Sequence, residues 1–456
     1  MRSGGEEGRK LLAEAVAAFR SALEVSTKAD LPRGWAATQN NLGSTLWELG
    51  RRSGGEEGRK LLAEAVAAFR STLEVRTKTA LPQDWAMTQN NLGITLQELG
   101  SRSGEEEGRK LLAEAVAACR SALEVYTKAD LPQDWAWTQN NLGGALQELG
   151  SRSGGEEGRK LLAEAVAAYR SALEVYTKAD LPQDWARTQN NLGAALDDLG
   201  RRSGGEEGRK PLAEAVAAYR SALEVSTKAN LPQDWAMTQH NLGNALWDLG
   251  RCSGGEEGRK LLAEAVGAYR SALEVYTKAD LSQGWTMTQN KLGAVLWDLG
   301  GQLKGDEGLK QQRDSIEAFR EVMAYQPSDQ SRLMLAQHLG DFAFNLVLNR
   351  QFAEAQTQCE DAQRLVNEIS DGIQKTDCDN LVAIQQNLTH ALLFQGHYDE
   401  ALVIYRQYWD KPLMGKTFGE STLEDFTAFD KAGLKHPDLS RMKQALGELR
   451  SEASSP

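Results

Sequence analysis

One phrase of fifty residues is written six times in this chain, and that period limits what the chain can fold into more than any other feature. Asn-Asn-Leu-Gly stands at 40–43, 90–93, 140–143 and 190–193, with His240-Asn-Leu-Gly243 and Asn290-Lys-Leu-Gly293 in the same register. Residues 101–150 and 151–200 differ at only six places: 105, 119, 137, 144, 147 and 148. A unit this constant cannot bury a core alone; it must stack on its neighbours, as solenoid repeats do.

Each unit holds two helical patterns. The first is the stripe Trp135, Thr138, Leu142, Ala145, Leu146 and Leu149, spaced i, i+3, i+4, i+7. Asp130 is the expected N-cap, followed by Pro132 and a capping-box Gln133, and Gly150 is the expected stop. The second stripe is Leu162, Ala165, Val166, Tyr169, Ala172, Leu173 and Tyr176, with Ser153 and Glu156 as a candidate capping box. Strand alternation is absent, so the units predict an all-α solenoid of antiparallel helix pairs. Pro211 replaces a Leu found at 11, 61, 111, 161 and 261, which predicts a bend or restart near 208–211.

These residues resemble the tetratricopeptide repeat. Leu142-Gly143-x2-Leu146 matches that family's Leu-Gly-x2-aromatic, and Ala165-x3-Tyr169 with Ala172 matches its second-helix signature. Residues 388–405 match without insertion, through Leu388, Leu392, Gly396, Tyr398, Ala401 and Tyr405. The fifty-residue units depart by carrying extra residues between helices and between repeats, and by a displaced Trp. Long units bearing Asn-Asn-Leu are similar to the kinesin light chain variety, and near-identical tandem copies of this kind resemble bacterial members. The resemblance implies a right-handed superhelical solenoid. Residues 1–300 form six units beginning mid-unit, 301–409 form diverged units, and 410–456 form capping helices.

The net charge of −12 argues against nucleic acid, whose binding needs Lys and Arg to replace counterions. No apolar run reaches the roughly 18–20 residues of a membrane span. Cys119, Cys252, Cys359 and Cys378 form no CxxC pair and read as reduced cysteines of a cytoplasmic protein. The Asn387-Leu-Thr sequon is read as chance. Five histidines without metal-ligand spacing offer no metal site, and Gly415-Lys416-Thr417 lacks the Gly and strand of a phosphate loop. The expectation is a non-enzyme without cofactors.

Comparison of copies within the chain points to one helical face. Its positions read Ala37, Met87, Trp137, Arg187, Met237, Met287; then Ser44, Ile94, Gly144, Ala194, Asn244, Ala294; then Trp47, Gln97, Gln147, Asp197, Trp247, Trp297. The steps of seven and three lay them on one stripe with Asn40, Asn90, Asn140, Asn190, His240 and Asn290. The resemblance implies that this stripe lines a concave groove. Exposed Trp and Met are costly without a partner, and amides spaced along a solenoid suit the backbone of a bound peptide. The Asn41, Asn91, Asn141, Asn191, Asn241 column, which becomes Lys291, is the alternative inter-repeat bond. The unvarying Trp35, Trp85, Trp135, Trp185, Trp235 and Trp285 are read as packing on the preceding helix.

The reading is a protein-interaction scaffold holding a peptide or protein segment in that groove, with acidic flanks favouring a basic or amphipathic ligand. The alternatives are the recognition arm of a larger signalling assembly, or a spacer without a groove ligand. The first helix, lacking a preceding neighbour, predicts weak self-association through the N-terminal end.

Overall fold

In the computed structural model, residues 2–369 and 374–453 are described, with side chains described for 6–369 and 382–448. Cys378 therefore lies outside the described side chains. The chain divides into two compact units, residues 1–258 and 259–456. The first holds α1 (Arg2–Val25), α2 (Pro32–Arg52), α3 (Gly55–Leu73), α4 (Pro82–Ser101), α5 (Glu105–Leu123), α6 (Pro132–Arg152), α7 (Gly155–Leu173), α8 (Pro182–Ser203), α9 (Gly205–Leu223) and α10 (Pro232–Ser253). After α11 (Gly255–Leu273), the second holds α12 (Ser282–Gln302), α13 (Gly305–Tyr325), α14 (Asp329–Leu348), α15 (Phe352–Asn367), α16 (Gln374–Phe394) and α17 (Tyr398–Tyr408). A hairpin of β1 (Pro412–Leu413) and β2 (Lys416–Thr417) leads to α18 (Phe418–Lys431) and α19 (Pro437–Ala453). The molecule is an all-α solenoid of helix pairs, and the hairpin is its one departure among the described residues.

Both predicted stripes are the core. Thr138, Ala145 and Leu146 of α6 and Leu162, Ala165, Tyr169 and Ala172 of α7 are buried. Gly143 lets the ring of Tyr169 against the α6 backbone, because a Cβ there would lie 2.8 Å from the ring. The same approach recurs at Gly193 with Tyr219 and at Gly93 with Cys119.

The helix ends correct three expectations. The N-cap of α6 is Leu131 with Pro132 at the first turn; Asp130 instead accepts from Thr127 Oγ1 at 2.7 Å, spending its side chain inside the preceding turn. Gly150 does not stop α6, which runs to Arg152. It marks the crossing of α6 and α7, where a Cβ would meet Leu162 Cγ at 3.0 Å and Gly158 O at 3.1 Å. Ser153 forms no capping box; Gly154 is the N-cap of α7, and the Ser153 carbonyl accepts from Arg202. Pro211 neither breaks nor restarts its helix, since α9 spans the same 19 residues as α7. One backbone bond near the N-terminus is forgone, while Leu212, Ala215 and Val216 stay packed.

Candidate functional site

Within the first unit the two helix layers differ. Neighbouring first helices α2, α4, α6, α8 and α10 touch directly, whereas neighbouring second helices are joined by long ion pairs. Arg70 reaches Glu114 and Arg120 reaches Glu164, each at 2.6 Å and exposed. The first-helix face is thus the closely spaced, inner side of the stack, and the variable stripe lies on it.

The invariant tryptophans are not part of that surface. Trp135 packs on Ala86, Ala122 and Tyr126 from the preceding repeat and on Ala136, Ala172 and Tyr176 of its own. Lys128 stands 5.9 Å over its ring and pairs with Glu174 at 2.6 Å, and Lys78 does the same with Trp85 and Glu124. This Lys–Trp–Glu unit staples each repeat to the next and accounts for the constancy of all three residues.

The asparagine columns lie in the seam between repeats. Asn40, Asn90, Asn140, Asn190 and His240 are buried, and Asn290 is half-buried. Asn141 Nδ2 donates to Asn90 Oδ1 at 3.1 Å, Asn191 to Asn140 at 3.2 Å, and Asn241 to Asn190 at 3.3 Å. Thr88 and Thr188 donate to Asn40 and Asn140. The Asn90, Asn140 and Asn190 oxygens accept what the 41-type column of the following repeat donates, so these acceptors are engaged between repeats, whereas Asn90 Nδ2 and Asn290 Oδ1 have no partner among the described residues. The physical reason is distance: the close spacing of first helices brings the two columns within hydrogen-bond reach.

The remaining stripe residues stay at the surface to different degrees. Met237 and Met287 are 42% and 52% exposed, and Arg187 is exposed with an ion pair to Asp184. Met87 and Trp137 are half-buried against the Ala86 and Ala136 clusters, and Trp297 against the core of the second unit. Trp247 lies beneath Arg251, 6.0 Å from its ring. Asp197 is buried, and Gln147 Nε2 donates to Asp198 at 2.8 Å across the repeat boundary. Gln97 and Gln147 line a polar cavity of about 410 Å³ together with Asn140 and Asn141.

One place on this face is apolar and concave. Trp47 of α2, Ile94 and Thr95 of α4 and Trp137 of α6 enclose a cavity of about 170 Å³ with Ser44 and Phe69. Three successive first helices contribute, and every helix supplies a residue from a variable column. Trp47 is held under Arg51, 5.1 Å from its ring. The acidic column beside it is largely compensated: Glu48 pairs with Arg52 at 2.7 Å and Glu98 with Arg102 at 2.7 Å.

The second unit holds a cavity of about 510 Å³ that sequence reading missed. Asp341 of α14, Asp425 of α18, Lys416 of β2, Trp297 and Phe344 line it. Apart from Trp297, which belongs to the variable stripe, its acidic and aromatic residues lie in diverged repeats and the C-terminal helices, where no second copy exists for comparison, so sequence reading did not assemble them. Behind Asp425, buried His390 bonds its carboxylate through Nε2 at 3.0 Å and the Tyr405 hydroxyl through Nδ1 at 2.7 Å. Burial holds the Tyr405 phenol well above its ordinary range.

Burial raises the Cys119 thiol to about 12 and lifts Cys359 as well, whereas Cys252 is exposed. Asn387 of the sequon is buried and donates to Gly340 O at 2.9 Å. Among the described residues no group of three or more His, Cys, Asp or Glu is arranged to hold a metal, and no helix is long and apolar enough to cross a membrane.

No family model matches the chain, and no curated protein matches it. Among solved structures it is similar to the C-terminal part of a TPR repeat-containing protein from Cytophaga hutchinsonii, at 12% identity and TM-score 0.45, covering 75% of this chain and 98% of that one. It is also similar to the apo form of RapI (11% identity, TM-score 0.39, 92% and 99% covered). A third is a Rap protein complexed with competence and sporulation factor (14% identity, TM-score 0.31, 91% and 99% covered). The chain is a helical-repeat protein, a solenoid of helix pairs in which a glycine of the first helix lies close against a side chain of the second.

Proposed function

We propose that the chain is a protein-interaction scaffold whose first-helix face seats a peptide or protein segment, anchored by an apolar side chain in the Trp47–Ile94–Trp137 cavity. The observation that carries this reading is the cavity itself: variable positions from three repeats converge on an apolar recess, while the constant residues around them do structural work. The polar cavity at Gln97 and Gln147 then meets the rest of the segment with amide groups. Because the acids at 48 and 98 are paired within their own helices, recognition on this face is apolar and amide-based more than ionic.

The test is selection from a random peptide library on the full chain and on Ile94→Glu. A buried anchor supplies about 2 kcal/mol at an interface, so peptides enriched on the wild type should bind the variant roughly thirtyfold more weakly. Helicity should be unchanged, since Ile94 is only half-buried. Equal binding to both proteins would remove the cavity from the site, and failure to enrich any sequence would remove the groove.

A further inference from the structure

The cavity of the second unit has a chemical character of its own. Two carboxylates, Asp341 and Asp425, line it together with the aromatic side chains of Trp297 and Phe344. Its one cation is committed elsewhere: Lys416 Nζ is held by both carboxylate oxygens of Glu424, at 2.6 and 2.7 Å. The amide walls are also committed, Gln386 to Thr422 and Ser421, and Asn387 to Gly340. Asp425 is fixed from behind by buried His390, itself locked to Tyr405. The Asp341 side chain makes no hydrogen bond or ion pair among the described residues. Although Asp341 is open at the mouth of the recess, the surrounding helices desolvate its carboxyl and raise it, against the lowering influence of His338.

A recess with negative charge left over and aromatic walls disfavours anions and suits a flat organic cation. A guanidinium stacks on an aromatic face and meets a carboxylate with paired N–H donors, which an ammonium cannot do as well. We propose that this cavity is a binding site for the guanidinium of an arginine side chain presented by a polypeptide, with Asp341 as its principal counter-charge, Asp425 as the positioned second carboxylate, and Trp297 and Phe344 as the stacking walls. This site stands on observations independent of the Trp47–Ile94–Trp137 cavity and remains if that reading fails.

The probe is N-acetylarginine amide, titrated into the full chain at low salt by calorimetry or NMR. The neutral isostere N-acetylcitrulline amide and the free amine agmatine serve as comparison ligands. Saturable binding of the arginine amide is expected, at least about tenfold tighter than that of the citrulline amide, and weakened about tenfold by Asp341→Asn. Asp341→Asn should fold normally, because the carboxylate it replaces bonds nothing. Ile94→Glu should leave the affinity unchanged, which separates this site from the other. Agmatine binding as tightly as the arginine amide would place all recognition in the guanidinium, as proposed; agmatine binding much more tightly would mean that a free amine, not a polypeptide side chain, is the ligand. The proposal is overturned if the arginine amide shows no saturation up to about 10 mM, if citrulline binds equally, or if Asp341→Asn changes nothing.

Discussion

Replacing Arg102 by Ala should destabilise the first unit by an amount that its contacts allow us to work out. Arg102 leaves its own helix α4 and donates to the end of α2: Nη1 to Gly50 O at 2.9 Å and Ser53 O at 3.0 Å, Nη2 to Arg51 O at 3.2 Å. These are carbonyls of a helix C-terminus, at the negative end of the macrodipole, and only Gly50 O among them has another backbone donor, Ser53 N–H at 3.2 Å. A charged donor to a carbonyl contributes about 1.5–3 kcal/mol when buried. The side chain here is 25% exposed, so water reclaims part of that, and we expect about 1–2 kcal/mol for the whole clip. Arg152 clips α4 in the same way, with Nη2 to Ser101 O at 2.8 Å, and Arg202 clips α6. The next position in the column is Cys252, and there α8 runs on to Ser203 and Gly204 takes a φ of 65°. Urea denaturation of Arg102→Ala, Arg152→Ala and Cys252→Arg is the assay. The first two should lower the midpoint by similar amounts, and Cys252→Arg should raise it by supplying the missing clip to α8. Unchanged midpoints for both alanine variants would show that these carbonyls are as well served by water, and the reasoning would be wrong.

Two further outcomes follow from burial. At pH 8, a thiol reagent followed by mass spectrometry should label Cys252 rapidly and leave Cys119 and Cys359 unlabelled. The attacking species is the thiolate, and burial raises Cys119 to about 12, so its thiolate is scarce at every pH below that value. On α1, Leu11 and Val25 are 60% and 85% exposed, and sedimentation at rising concentration should show weak self-association that Leu11→Glu with Val25→Glu abolishes. A wild type that stays monomeric up to about 1 mM would rule that contact out.

Helical periodicity was legible because it is the repeated consequence of burying one face: the Leu162, Ala165, Tyr169, Ala172 stripe is the core residue for residue. Helix ends were less so. Asp130 carries the chemistry of an N-cap, and only the geometry of the preceding turn shows that Thr127 takes its side chain first. Gly150 likewise reads as a stop by local chemistry, whereas its role is the close crossing of two helices, a property of residues twelve positions apart.

The amides show where such reading ends. Asn140 and Asn141 are adjacent, polar and repeated in all but one copy each (His240 and Lys291), and nothing in either column states whether it faces a ligand or another repeat. The answer lies in a length of fifty-one residues, the offset between donor Asn191 and acceptor Asn140, set by how closely the first helices pack. A polar ladder in which the Asn90, Asn140 and Asn190 oxygens accept from the next repeat rigidifies the face, and those oxygens cannot also grip a peptide backbone without giving up bonds of about 1 kcal/mol each. Constancy on this face therefore marks the frame, and the proposed recognition rests on the positions that differ between copies. Trp47, Ile94 and Trp137 are three such positions that converge, and that convergence, visible only once three helices are placed side by side, is the ground for the site proposed there.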